Sequence, residues 1–238
     1  MKTQISILQE ITTPDMANLR IWRAEADIPP RERYARAIVL LQVTHEVTRG
    51  RILVSACWNS LTTAVGTMIL YRQANAFYAP WQMGVADWCR RRGVATAMMD
   101  VVRLAGFAVR SSERVWDHGG CVAVPTQEGA AFWQAYAAGI QAGQLYQTRS
   151  PGAGRAKALI VEVGDAAVTV LFTSLTNGGT LEQFDPAWLR HHLETEDYRF
   201  LGFTPIPSRI AEIEVELPGV WKPIHQQRPL HVQRPSIT

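Results

Sequence analysis

Residues 85–96 read VADWCRRRGVAT, with three consecutive arginines, Arg90, Arg91 and Arg92, running into Gly93, Val94, Ala95 and Thr96. Beyond them Ala97, Met98, Val101, Val102, Ala105 and Ala108 recur at helical spacing, which predicts a helix over 96–109. A helix N-terminus presents unpaired backbone N–H groups and a partial positive charge. Where its residues are small, a phosphate can approach the backbone closely. Gly93 and Ala95 supply that access, Thr96 can cap the helix or add a hydroxyl donor, and the arginines add charge. The chemistry open to this turn is to hold a phosphate or diphosphate. The competing reading is a solvated arginine turn.

The flanking elements must position this turn. Just ahead of it, FYAPWQMGVADW reads as a strand, with Pro80 at its start or at an irregularity. RILVSACW and TAVGTMILY, joined by NSLT, read as an antiparallel hairpin. Upstream, ISIL is a short strand, and TPDMANLRIWRAEA is a helix with Thr13 as N-cap and Pro14 at its first position. PPRERYARAIVLLQVTHEV is a second helix, because Tyr34, Ala37, Ile38, Leu41 and His45 fall at helical spacing. Downstream, CVAV is a short buried strand, and TQEGAAFWQAYAAG is a helix that stops near Gly139. GQLYQTR and KALIVEV close the unit as paired strands.

The order over residues 1–163 is therefore β-α-α-β-β-β-α-β-α-β-β. It predicts an α/β (α+β) fold, a mixed central sheet with helices on both faces. Residues 164–217 read as a small α+β extension. It has a hairpin turning at Asn177 and Gly178, a helix capped by Asp185 with Pro186 first, and the strands YRFLGF and AEIEVEL. Residues 218–238 are a Pro-rich basic tail.

Val85-x-x-x-x-Arg90-x-x-Gly93-Val94-Ala95-Thr96, after a strand and opening a helix, resembles the acyl-CoA signature of the GNAT superfamily of N-acyltransferases. The resemblance covers residues 1–163. It implies a splayed central sheet, acetyl-CoA or another acyl-CoA as cofactor, and an amine-bearing acceptor that attacks the thioester directly. It further implies that the diphosphate sits on Arg90, Arg91, Arg92, Gly93, Val94, Ala95 and Thr96, and that pantetheine pairs with the backbone from Met83 to Val85. A second match lies in PTQEGAAFWQAYAAG, where Thr126 or Gln127, then Ala130, then Phe132 and Trp133 fill the family's places. The family's aromatic pair ends in a tyrosine that often protonates the departing thiolate. Trp133 stands there, and an indole N–H is no effective acid. Tyr136, one helical turn on, is the candidate replacement, weighed against a plain packing role.

An amine acceptor is mostly protonated at neutral pH, so a base must take its proton. Asp87, Asp117 and His118 are the candidates. Asp117 and His118 beside Gly119 and Gly120 suit a tight turn as well as a site, and Asp87 reads first as a loop residue. His45 and Glu46, at the end of the expected second helix, are further candidates. No metal site is expected. Cys57, Cys89 and Cys121 are far apart, and His191 and His192 are adjacent, so they cannot share one helix face. GAGRAK at 152–157 lacks the Gly-Lys-Ser/Thr ending of a nucleotide loop and reads as a hairpin turn.

Composition bounds the rest. Of 238 residues 47% are hydrophobic and 19% charged, which fits a folded chain with a sizeable core. The tail holds Lys222, Arg228 and Arg234 and no acid, a charge equal to the whole net +3. A near-neutral body argues against a broad nucleic-acid face. A second reading, a GNAT-like enzyme that modifies nucleic-acid bases, draws on that tail, on Arg114, Arg149 and Arg155, and on the eight tryptophans. A third keeps the fold as a non-catalytic binding protein, on the strength of Trp133. The N-terminal residues lack the apolar core of a signal peptide and no apolar run is long enough to span a bilayer, so a cytoplasmic setting without membrane partners is expected. Residues 164–238 are expected to cover the acceptor side or to make a homodimer contact.

Overall fold

Residues 21–28 and 37–43 alternate buried and more exposed side chains with a period of two, and in the computed structural model they lie in strands. The structure describes residues 4–11, 18–30, 35–59, 62, 64–73, 76–148, 157–174, 178–194, 198–205 and 231–232. β2 (Leu19–Ile28) buries Trp22, Ala24, Ala26 and Ile28 and sets Arg23, Glu25 and Asp27 on its other face. β3 (Ala37–Glu46) buries Ala37, Val39, Leu41 and Val43 in the same way. These strands correct the helices expected over 13–26 and 29–47. The helical stripe needed Ile38 inside, and Ile38 is 49% exposed. β-Branched Val39, Val43 and Thr44 favour extended chain, and β3 gains ladder partners on both sides. Thr13, Pro14 and Tyr34 lie outside the described residues.

β1 (Gln4–Glu10), β4 (Arg51–Trp58), β5 (Ala64–Arg72) and β6 (Tyr78–Val85) complete a six-stranded antiparallel meander in the order β1-β2-β3-β4-β5-β6. The expected β4–β5 hairpin is present. Pro80 sits at an irregularity in β6. Leu70 faces Pro80 while Ile69 faces Gln82, so β6 bulges there.

α1 (Val94–Leu104) lies on one face of this sheet, against β1 to β6. Ala97, Met98, Met99, Val101 and Val102 are fully buried beneath it. Each of the larger ones contributes about 1.5–3 kcal/mol by leaving water. α1 stops short of the expected end at 109. Gly106 takes φ 92, its N–H donates to the Arg103 carbonyl, and the Phe107 N–H donates to the Val102 carbonyl. That Schellman arrangement satisfies the last carbonyls and turns the chain back. The chain then meets β6 in parallel at one point, between Tyr78 and Val109.

β7 (Val115–Trp116) and β8 (Val122–Ala123) form a small hairpin. The strand expected to be buried at CVAV is therefore surface structure, with Val122 40% and Val124 69% exposed. α2 (Gln127–Tyr136) follows, with Thr126 Oγ1 accepting from the Gly129 N–H as its cap.

The chain divides into two compact units, 1–136 and 137–238. The second is a sheet in the order β13-β9-β10-β11-β12-β14, where β9 is Gln144–Thr148, β10 Lys157–Val163, β11 Val168–Ser174, β12 Gly178–Phe184, β13 Tyr198–Phe203 and β14 His231–Val232. β10 pairs with β9 on one side and β11 on the other, so the boundary read between 163 and 164 falls within one sheet. α3 (Pro186–Glu194) is capped as expected. Asp185 Oδ1 accepts from the Ala187 and Trp188 N–H groups, and Leu189 packs onto Ile160, Val168, Val170 and Phe184. Asn177 and the strand expected at 211–217 lie outside the described residues. The fold is α+β with large, mostly antiparallel sheets. Among the described residues no helix is long and apolar enough to cross a membrane.

Candidate functional site

The turn between β6 and α1 is built by backbone conformation first. A short 3-10 turn, Asp87–Cys89, leads out of β6 and is fixed by the fully buried Cys89. Arg91 at φ 60 and Gly93 at φ 90 then swing the chain into α1. Left-handed backbone costs an L-residue energy that Gly escapes, which is why Gly93 suits this corner. Gly93 is the N-cap, with no side-chain cap hydrogen bond. Its carbonyl accepts from the Ala97 N–H, and Ala95 and Thr96 are half-buried above it. Gly66 on β5 permits the close seating of this end. A Cβ there would lie 3.1 Å from Met98 Cε and 3.2 Å from Val94 Cγ1.

β6 is the last strand of its sheet, and α1 starts just past its C-terminal end. The Ala86 N–H donates to the Val65 carbonyl at 2.8 Å. By the alternation of an antiparallel ladder, Gly84 faces β5, while the backbone groups of Met83 and Val85 face the outer edge. At the other end of β6 the Tyr78 N–H donates to the Ala108 carbonyl and the Arg110 N–H to the Tyr78 carbonyl. Among the described residues, that bridge is the only strand-like pairing along the outer edge. Among the described residues the outer edge at 81–85 thus pairs with no strand, and it lies beside a helix start without a side-chain cap.

The arginines are engaged in different ways. Arg90 Nε donates to the Val85 carbonyl at 3.4 Å, and its guanidinium meets Asp87 at 3.0 Å and Glu128, in the first turn of α2, at 3.7 Å. Those contacts bring the start of α2 to the rim of the turn and set two exposed carboxylates near it. Arg92 turns the other way. Its guanidinium lies 4.2 Å over the Trp58 ring, and Nη2 donates to the Ala35 carbonyl. Only side-chain geometry reveals how Arg90 and Arg92 are committed.

Apart from Asp87, the acid–base candidates fall elsewhere. Asp117 Oδ1 accepts from the Gly119 and Cys121 N–H groups at 2.9 and 2.7 Å, so it locks the β7–β8 turn. His118 is exposed in that turn. Gln73 ties the hairpin to the β5–β6 connection by accepting from the Trp116 N–H and donating to the Trp116 carbonyl. The hairpin is thus anchored near the start of β6, at the opposite end from Gly93. Tyr136 is buried under α1, where its hydroxyl donates to Asp100 Oδ1 at 2.6 Å and accepts from Arg103 Nη1 at 3.2 Å. Burial, and then the Asp100 carboxylate, push the phenol far above its usual range. Trp133 is buried against Tyr136, edge to face at 5.7 Å. Asp87 is a surface loop residue paired with Arg90.

His45 and Glu46 end a strand instead of a helix. The Glu46 carboxylate takes Arg51 at 2.6 Å and Arg49 at 3.5 Å, and the Arg51 hydrogen bond holds its pKa down. His45 Nε2 bonds the Tyr78 hydroxyl at 2.8 Å amid Phe107 and Tyr78, and its Nδ1 is buried without a partner among the described residues. Burial lowers its pKa. A cleft of about 680 Å³ lies on the other side of the sheet, lined by Ser6, Glu25, Asp27, Arg36 and Ile38, three strands away from β6. Among the described residues no group of three or more His, Cys, Asp or Glu is placed to hold a metal ion. His192 stacks on Trp188 at 4.0 Å. In the tail, Lys222, Arg228 and Arg234 lie outside the described residues, as do Arg149 and Arg155.

Sequence reasoning missed Gly66 and Gln73, and it weighed Trp58, Trp81, Trp88 and Trp116 as mostly core, whereas Trp88 and Trp116 are 52% and 51% exposed and Arg92 joins the Trp58–Trp88 pair. Gly106 followed by Phe107 was a readable stop signal for α1. No protein-family model, curated protein or solved structure was found to match the chain.

Proposed function

We propose that residues 1–136 bind an acyl-CoA and transfer its acyl group to an amine, as the resemblance to the GNAT superfamily implies. The observation that carries this reading is the outer edge of β6 at Met83 and Val85, paired with no strand among the described residues and with the Val85 carbonyl held by Arg90, running onto the α1 N-terminus at Gly93. The likeness rests on β6, its bulge, α1 and the single parallel bridge at Tyr78, rather than on the strands before β6. Two features fit the nucleotide end. Gly93 leaves the turn without side-chain bulk, and the N–H groups at the start of α1 form an anion seat. The carboxylates of Asp87 and Glu128 weaken that seat unless Arg90 stays between them and the phosphates.

Acyl-CoA supplies the thioester that the amine attacks. The chain's residues do the remaining work. Met83 and Val85 would hold the arm along β6, the strand that bulges at 80–82. The hairpin is anchored near the start of β6. Asp117 holds its turn, and exposed His118 takes the proton from the amine. Tyr136 has its own proton committed to Asp100, so it packs the two helices and water protonates the thiolate. The test is thiol release from acetyl-CoA with a panel of amines, nucleosides and oligonucleotides. Turnover that falls about a hundredfold in His118→Ala supports the assignment. Thiol release on none of the acceptors, with CoA still bound, would leave the non-catalytic reading. Release on oligonucleotides alone would favour the base-modifying one.

A further inference from the structure

Trp88 is 52% exposed, although it stands in a turn pinned by a fully buried neighbour, Cys89. It does not lean on solvent alone. Its ring meets Trp58 at 5.4 Å and 72°, edge to face. Trp58 is in turn covered by the Arg92 guanidinium at 4.2 Å, and Arg92 is tethered to the Ala35 carbonyl at 3.1 Å. Trp58, fixed by Arg92 and through it by the Ala35 carbonyl, therefore holds the Trp88 indole in a set orientation at the surface. Arg92 immediately precedes Gly93, so the exposed indole stands beside the proposed diphosphate seat. A flat, rigid, exposed aromatic group next to a phosphate site has the chemistry to stack a nucleobase.

We propose that Trp88 stacks the adenine base of CoA, with Trp58 and Arg92 as positioning residues that fix the indole. The proposal rests on the acyl-CoA reading and names where the nucleotide end lies. Stacking is tolerant of the base and adds affinity without touching the thioester, so it acts on binding and not on the chemical step.

The experiment is calorimetric titration of the full chain, and of its Trp88→Ala and Trp88→Phe variants, with CoA, with 4′-phosphopantetheine, which lacks the adenosine, and with single-stranded oligo-dA. Thermal melting checks that each variant is folded. Expected is a loss of about tenfold or more in CoA affinity for Trp88→Ala, and recovery of most of it in Trp88→Phe. Any binding of phosphopantetheine is unchanged in both. Unaltered CoA affinity in Trp88→Ala overturns the stacking role and leaves the acyl-CoA reading standing. So does an equal loss for CoA and phosphopantetheine. Weakened oligo-dA binding with CoA affinity intact overturns it too, because the base then comes from nucleic acid. Absence of CoA binding by the parent chain removes this proposal and the acyl-CoA reading together.

Discussion

Buried Tyr136 and half-buried His45 make the sharpest demands on their surroundings. Tyr136→Phe removes a hydroxyl that donates to Asp100 and accepts from buried Arg103, leaving both with one partner fewer. Expected is a loss of about 1–3 kcal/mol in urea unfolding, with thioester turnover retained. A fall of about a hundredfold in kcat with stability intact would instead make Tyr136 the acid. Burial lowers the pKa of His45, with Arg20 and Arg72 adding to the effect. In the unfolded chain it titrates near the ordinary 6.5. Below that pH the unfolded chain takes up a proton that the folded chain resists. Stability is therefore full above 6.5 and falls as pH drops toward the lowered folded value. Melting temperatures about one unit above and one unit below 6.5 measure the drop, and His45→Gln is expected to shrink it. An unchanged drop in that variant would assign the acid sensitivity to other groups.

At the scale of elements, α1 and the β7–β8 hairpin are held by contacts that sequence patterning hides. Gly66→Ala puts a methyl 3.1 Å from Met98 Cε and 3.2 Å from Val94 Cγ1. The methionine end can move, but the β-branched Val94 on the first turn of α1 cannot easily do so. Expected is a cost of about 1–3 kcal/mol in chemical denaturation, accompanied by weaker CoA binding as the helix start shifts. Unaltered CoA binding would detach the ligand site from the seating of α1. Gln73→Ala removes both hydrogen bonds to Trp116. Faster amide exchange at 115–124, read by mass spectrometry, is the expected result, and unchanged protection would mean that other contacts hold the hairpin. The strand–turn–helix at 78–104 was legible because the apolar stripe of α1 and the small residues at its start are local signals. β2 and β3 were not. Ala37, Ile38, Leu41 and His45 satisfy a helical period as well as Ala37, Val39, Leu41 and Val43 satisfy a strand period. The choice is made by pairing with β1 and β4, which is a long-range property. The side chains of Arg90 and Arg92 were illegible for the same reason, since Glu128 and Trp58 come from distant segments.

For the whole molecule, the two sheets and the charge balance set what remains to be tested. The tail's three basic residues supply the chain's net charge, so deleting 218–238 is expected to abolish any salt-dependent oligonucleotide binding. Retained binding, followed by calorimetry at two salt concentrations, would place the nucleic-acid contact within residues 1–217. The first unit stands or falls on its anion seat. Gly93 itself is a poor probe, because any side chain at φ 90 strains the turn by about 1–2 kcal/mol. Ala95 avoids that confusion. An acidic residue in the first turn stabilises a helix by about 0.3–1 kcal/mol, yet here it sets a carboxylate at the proposed diphosphate seat. The most direct measurement is therefore calorimetric titration of acetyl-CoA into the parent chain and into Ala95→Glu, with melting curves for both. Expected is binding by the parent that is lost in the variant while its melting temperature is kept or raised. No binding by the parent, or equal affinity in the variant, would contradict the seat at the start of α1.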